Sequence, residues 1–187
     1  MVYLFFEGVL MYSVLDIIKL RKSVRAYEKD KNISDKDLNT ILEGARFSQS
    51  AKNIQDWKLL VVKERETFRQ LVPACKDQSF IADASCVIAA CSADTDYLMT
   101  CGQPAYTVDV SIAVSNMSLV AAELGIGSCW LGAFFEDRVK EVLGIPSKVR
   151  VVAILVLGYP AGKKLSEVVT TTRKDVKEIV SYDKWGF

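Results

Sequence analysis

The sequence predicts one soluble domain of the α/β or α+β class, on three observations. A chain of 187 residues, half of them hydrophobic, buries one substantial core. Two apolar runs, ADASCVIAAC over 82–91 and VRVVAILVL over 149–157, read as buried strands. Between them, Tyr106 to Phe135 carries only two charges, Asp109 and Glu123. From Val108 to Leu124 apolar residues recur so often that a helix there is hydrophobic on nearly every side. A membrane, a monomer core or a core shared with a second subunit could bury it. Because Ser111, Ser115, Asn116 and Ser118 interrupt the run and Gly125 and Gly127 close it, we read a helix buried in protein.

Residues 1 to 10 are apolar, yet they lack a basic leader, carry Glu7 and lead to no small-residue cleavage site, so they do not read as a signal peptide. Met11 offers an alternative start, which would make 1–12 an extension. Ser13 caps a short helix, Val14 to Leu20, whose apolar residues leave Asp16 and Lys19 outside. Ser34 opens a second helix with an apolar face of Leu38, Ile41, Leu42 and Ala45. A polar, amide-rich loop from Ser48 to Trp57 then runs into a strand, Lys58 to Val62. Lys63 to Val72 reads as a polar helix and 92–105 as an irregular loop broken by Gly102, Gln103 and Pro104. After the apolar helix, 126–135 reads as a glycine-punctuated turn and a short aromatic run, where small residues let a flat ligand reach the backbone. Glu136 to Leu143 is amphipathic and stops at Gly144 and Pro146. Residues 163–187 form a polar arm ending in Tyr182, Trp185 and Phe187, aromatic residues that dock on something.

Composition narrows the function. Twenty-four basic and twenty-three acidic residues leave a formal charge of +1, which provides no footprint for nucleic acid and no polybasic membrane patch. The partner is then a small molecule or a second copy of the chain. Five cysteines without a C-x-x-C pair read as free thiols of a cytoplasmic protein. The absence of histidine removes Ser-His-Asp triads, Cys-His dyads and most zinc sites, so no metal centre is expected.

Two segments carry recognisable chemistry. In Arg21-Lys22-Ser23-Val24-Arg25, two guanidiniums and an ammonium lie within five residues beside a hydroxyl. The group suits a phosphate, or a solvated helix end whose cations face the negative pole of the dipole. Asn53 and Gln55 each offer a donor and an acceptor. They suit the edge of a heterocycle, or an ordinary Asn-stabilised turn.

Four blocks in order resemble the FMN-dependent nitroreductase family. They are Arg21-Lys22-Ser23-Val24-Arg25, then SAKNIQDW over 50–57, then ELGIGSCWLG over 123–132, and LGYP over 157–160 with Arg173-Lys174 and VSYDKW over 180–185. The resemblance covers about Ser13 to Trp185. It implies an α+β fold with a central mixed sheet flanked by helices, and a homodimer with the long apolar helix at the subunit interface. One FMN would lie at each end of that interface, and the C-terminal arm would wrap the partner.

By the same resemblance, Arg21, Ser23 and Arg173, with Lys22 and Lys174, would hold the FMN phosphate. Arg25 would lie near the pyrimidine side of the ring. Asn53 and Gln55 would meet its polar edge and the ribityl chain, with Ser50 reaching across the dimer. Leu131 and Gly132 would bring backbone close to the ring. The implied activity is transfer of hydride from NADH or NADPH through FMN to a nitroaromatic, quinone or similar flat acceptor. No protein side chain is then needed as a catalyst. A specialised reductase, dehalogenating or flavin-processing, and a non-catalytic FMN-binding dimer are the rival readings. Asp56 stands where the family motif carries proline, which is expected to add flexibility and negative charge beside the cofactor. The short 92–105 loop is expected to leave an open pocket.

Overall fold

A computed structural model describes residues 4–6, 9–168 and 172–187. Strands β1 (Leu4–Phe6) and β2 (Val9–Met11) pair antiparallel with each other. The helices are α1 (Val14–Leu20), α2 (Asp35–Arg46), α3 (Arg65–Ala74), α4 (Ala105–Glu123) and α5 (Glu136–Leu143). The main sheet is built from β3 (Trp57–Val62), β4 (Cys86–Ser92), β5 (Gly127–Leu131) and β6 (Arg150–Gly158), in the order β3-β4-β6-β5. The expected α+β class holds. The sheet expected to be mixed is antiparallel across these four strands, and its parallel component is a single bridge between Ser23 and Ser128 at the β5 edge.

The two central strands carry the core. Along β4 every residue is buried, with Val87, Ala89 and Cys91 facing one side and Cys86, Ile88 and Ala90 the other. On the first side lie Phe68 and Leu71 of α3 and Val139 of α5, and on the second lie Ile41 of α2 with Val114 and Met117 of α4. In β6 the register slips at Val152, opposite the Ala90–Cys91 step. That extra residue turns Val151 and Ala153, two apart, to opposite faces.

Several sequence expectations change here. Ser13 caps α1 as expected, but only Ile17 of that helix is buried, and Val14 remains 74% exposed. The segment read as a polar helix is amphipathic, with Phe68, Leu71 and Ala74 inside. The stretch read as a turn and aromatic run contains β5, because its glycines and alternating Ser128 and Trp130 hide an edge strand that β6 completes. The arm, 172–187, is exposed throughout.

Helix α4 answers the question of burial in part. Val110, Ala113, Val114, Met117 and Ala121 are buried against the sheet and α2, where Gly44 of α2 lets the helices close up. An ideal Cβ on Gly44 would stand 3.0 Å from Val120 Cγ2. The opposite stripe remains open, with Val108 and Ser115 exposed and Ile112 and Leu119 half-buried. The helix is therefore covered on one face and bare on another.

Candidate functional site

The basic segment begins at a helix end and continues as an extended run. Arg21 caps α1, donating its backbone N–H to Ile17 O at 2.9 Å, and from there the chain runs extended along β5. Val24 N–H donates to Ser128 O at 2.9 Å, and Glu28 N–H to Tyr159 O at 2.9 Å. Val24 and Tyr27 are buried, and the Tyr27 hydroxyl donates to Val24 O at 2.8 Å, pinning the crossing from inside. Burial pushes the Tyr27 phenol well above its ordinary range, so it stays a neutral donor. Ser23 and Arg25, flanking buried Val24, are exposed together beside half-buried Arg21 and Lys22.

Two glycines make this approach possible. An ideal Cβ on Gly127 would lie 2.7 Å from Val24 Cγ2, and one on Gly158 would lie 2.8 Å from Tyr27 Cδ1. Gly127→Ala is therefore expected to lift the 23–25 segment off β5 and destabilise the protein by about 1–3 kcal/mol. Denaturant melts of the variant check it, and an unchanged midpoint would mean that the segment shifts without cost.

The electrostatics of this patch are one-sided. Burial depresses the Lys22 ammonium, and the neighbouring Arg173 and Arg21 guanidiniums depress it further. The Lys22 Nζ donates to Lys19 O at 2.6 Å, and neither Arg21, Lys22 nor Arg25 forms an ion pair with a carboxylate among the described residues. Lys174 is exposed next to Arg173. Like charges held together form a site that an anion would stabilise. Along β5 from Ser128, roughly 14 Å on at 3.4 Å per residue, Leu131 is buried and Gly132 is exposed. An added Cβ on Gly132 would meet nothing within 4 Å, so its backbone is open to a flat group. Trp130, 39% exposed between them, was missed in the sequence reading, and the shared face of Ser128, Trp130 and Gly132 is the period-two signal that would have found it.

The amide turn stands elsewhere. Lys52, Asn53 and Gln55 all take left-handed backbone conformations, with φ of 52°, 56° and 56°. Each such non-glycine residue costs roughly 1–2 kcal/mol. The turn is held open by its neighbours: buried Asp109 of α4 accepts the Ala51 N–H at 3.0 and 3.1 Å, and Ser50 Oγ accepts the Gln55 N–H at 3.0 Å. Asn53 and Gln55 are both exposed, and the Gln55 side-chain amide donates to Asn53 O at 3.2 Å within the turn.

Asp56 does not behave as expected of a flexible charge. Its Oδ2 accepts from Ser92 Oγ at 2.5 Å, Ala93 N–H at 2.9 Å and Asp94 N–H at 2.6 Å. Burial raises its pKa, and the Ser92 hydroxyl with the Asp94 and Ala93 amides outweighs that, holding the carboxyl below the usual range. The 92–104 loop that it caps is closed by Met99 N–H to Gln103 O at 2.9 Å and Ala105 N–H to Tyr97 O at 3.0 Å.

The structure thus collects the expected residues into two groups. Arg21, Lys22, Ser23, Arg25 and Arg173 gather beside β5, near the C-terminal end of α4, where Ala122 shares a cluster with Ile17 and Val24. Ser50, Asn53 and Gln55 gather at its N-terminal end through Asp109. Their anchors on α4, Asp109 and Ala122, stand about 20 Å apart along the helix axis, so the two groups lie toward its opposite ends.

Of the cysteines, Cys75, Cys86, Cys91 and Cys129 are buried and Cys101 is exposed. Burial pushes Cys75 and Cys91 up to about 11 and Cys86 up to about 12, and all five cysteines are free.

The sequence profile of the nitroreductase family matches residues 18–107 and 76–159. A protein from Archaeoglobus fulgidus, provisionally named NADH dehydrogenase/NAD(P)H nitroreductase, is 38% identical over 158 residues, covering 82% of this chain and 89% of its own. A Bacillus subtilis protein named FMN reductase (NADPH) is 22% identical over 179 residues, covering 82% of this chain and 70% of its own. The crystal structure of a nitroreductase family protein from Clostridium difficile superposes with a TM-score of 0.81 at 31% identity, covering 94% of this chain and all of its own.

Proposed function

Because this chain belongs to the nitroreductase family, we propose that it is an FMN-dependent NAD(P)H oxidoreductase whose active unit is a homodimer. The observation that carries the reading is the cationic patch at Arg21, Lys22 and Arg173, where burial and then the neighbouring guanidiniums depress Lys22, beside an open strand end at Gly132. Arg21, Lys22, Ser23, Arg173 and Lys174 hold the phosphate by charge-assisted bonds, and Arg25 places positive charge by the pyrimidine side of the ring. Leu131 and Gly132 admit the ring against bare backbone.

A two-fold arrangement would unite the two groups of residues. Two copies packed antiparallel along the open stripe of α4, with the axis near Ser115, bring the Ser50–Gln55 turn of one chain to the basic patch of the other. Two equivalent sites then form, one at each end of the paired helices. Asn53 and Gln55 complete the polar edge of each, and Ser50 contributes from across the seam. The whole chain acts as one domain, with 163–187 as an arm laid over the partner. Val14, Leu15 and Ile18 of α1, exposed in the single chain, add apolar area to the same association.

Bound FMN supplies the centre that takes a hydride from NADH or NADPH and passes electrons to a flat acceptor such as a nitroaromatic or quinone. The protein's own part is to bind, orient and electrostatically favour negative charge, which explains how a chain without histidine serves. The purified protein is expected to be yellow and to release FMN on denaturation, and a colourless protein that takes up no added FMN would overturn the reading. Donor and acceptor use the same face in turn, so initial-rate plots against both substrates should be parallel. Intersecting lines would refute a shared site.

A further inference from the structure

We infer that Asp56 is a positioning residue: its carboxylate joins the 50–55 turn and the 92–104 loop into one body and so sets where Asn53 and Gln55 point. The functional consequence rests on the FMN reading above, while the mechanical one does not. Asp56 lies immediately before β3, whose first residue, Trp57, pairs with Ser92, the last of β4. At that point one carboxylate oxygen gathers the Ser92 hydroxyl and the Ala93 and Asp94 amides, the Ser92 hydroxyl also lying 2.7 Å from Asp94 O. Lys58 Nζ stands 3.9 Å from the other oxygen.

The chain just upstream needs such a hold. Left-handed conformations at Lys52, Asn53 and Gln55 persist only where the surroundings over-determine them. Asp109 and Ser50 secure the N-terminal side of the turn. On the other side, Asp56 ties it to the 92–94 segment, and Lys52 Nζ, 4.3 Å from the centre of the Tyr97 ring, makes a second tie between the same two segments. A proline at position 56 would fix φ but has no acceptor to offer those amides. This chain therefore holds its amide turn by a hydrogen-bonded carboxylate that reaches into the neighbouring loop. Turn and loop move as a unit, and Tyr97 and Leu98 keep a constant relation to Asn53 and Gln55.

Asp56→Ala and Asp56→Asn, each compared with the unaltered protein, test this. Asparagine can present one carbonyl oxygen where Oδ2 stands, keeping the acceptor and losing the charge. In Asp56→Ala, amide hydrogen exchange at Asn53 and Gln55 should speed up about tenfold and the FMN dissociation constant should rise about tenfold, with both largely restored in Asp56→Asn. Faster exchange confined to Ala93 and Asp94, with 53 and 55 unchanged, would overturn the inference, since Asp56 would then only cap the end of β4. Should Asp56→Ala fail to fold, Ser92→Ala removes one of the three donors and must still speed exchange at 53 and 55; no change there overturns the inference equally. If the unaltered protein takes up no FMN, the cofactor reading falls while the exchange data still decide the positioning role.

Discussion

Arg21→Ala should lower FMN affinity by about 10- to 100-fold and leave the cofactor-free fold as stable as before. The two halves of that expectation come from one fact. Arg21 stands among cations, and its guanidinium is one of the charges that depress Lys22 after burial and Arg173. Without an anion it repels its neighbours, so removing it relieves the apo protein. With a phosphate in place it supplies a charge-assisted pair, and removing it costs that pair. Its structural contribution, the backbone N–H donated to Ile17 O, survives in alanine. Titration of FMN fluorescence against apoprotein, with thermal melts of both forms, separates the two effects. A lost melting temperature in the apo variant with unchanged FMN affinity would mark Arg21 as a structural cap and remove it from the site.

Ser115→Arg should convert the protein to a monomer and reduce FMN binding by more than about 100-fold, although none of the proposed FMN-binding residues is altered. Ser115 is exposed on the bare stripe of α4, so arginine is accommodated in a single chain at little cost. Across a two-fold axis passing near it, the two arginines would face each other, and burying like charges at an interface is strongly unfavourable. The loss of cofactor is expected because Arg21 and Asn53 stand toward opposite ends of α4 and, in the proposed dimer, are brought together between copies. Sedimentation velocity with absorbance at the flavin band reads both quantities in one run. A variant that stays dimeric and yellow would place the interface elsewhere, and a monomer that keeps full FMN affinity would mean that a single chain completes the site.

Local patterning carried much of this architecture. Ser13 and Ser34 were legible as helix caps because a hydroxyl ahead of an apolar period satisfies free N–H groups, and both side chains accept from the third residue of their helices. The β4 and β6 strands were legible because strands buried on both faces show continuous apolar runs. β5 was not, since an edge strand punctuated by glycine has no such run, and its glycine is there for a contact with Val24 over a hundred residues away. The basic segment was legible as chemistry but only in part as structure, because cations after a helix look alike whether they are solvated or laid along a strand.

By itself, the order of residues determined the helices and the buried strands, the lack of histidine chemistry and the residue types that could meet a phosphorylated ring. Each is written in side chains a few positions apart. Only the tertiary structure decided that Asp56 is a tether rather than a loose charge, and that the amide turn and the cationic patch stand at opposite ends of α4. Those outcomes depend on which amides a carboxylate finds in space and on how far a packed helix carries its two ends apart, quantities that no local pattern encodes.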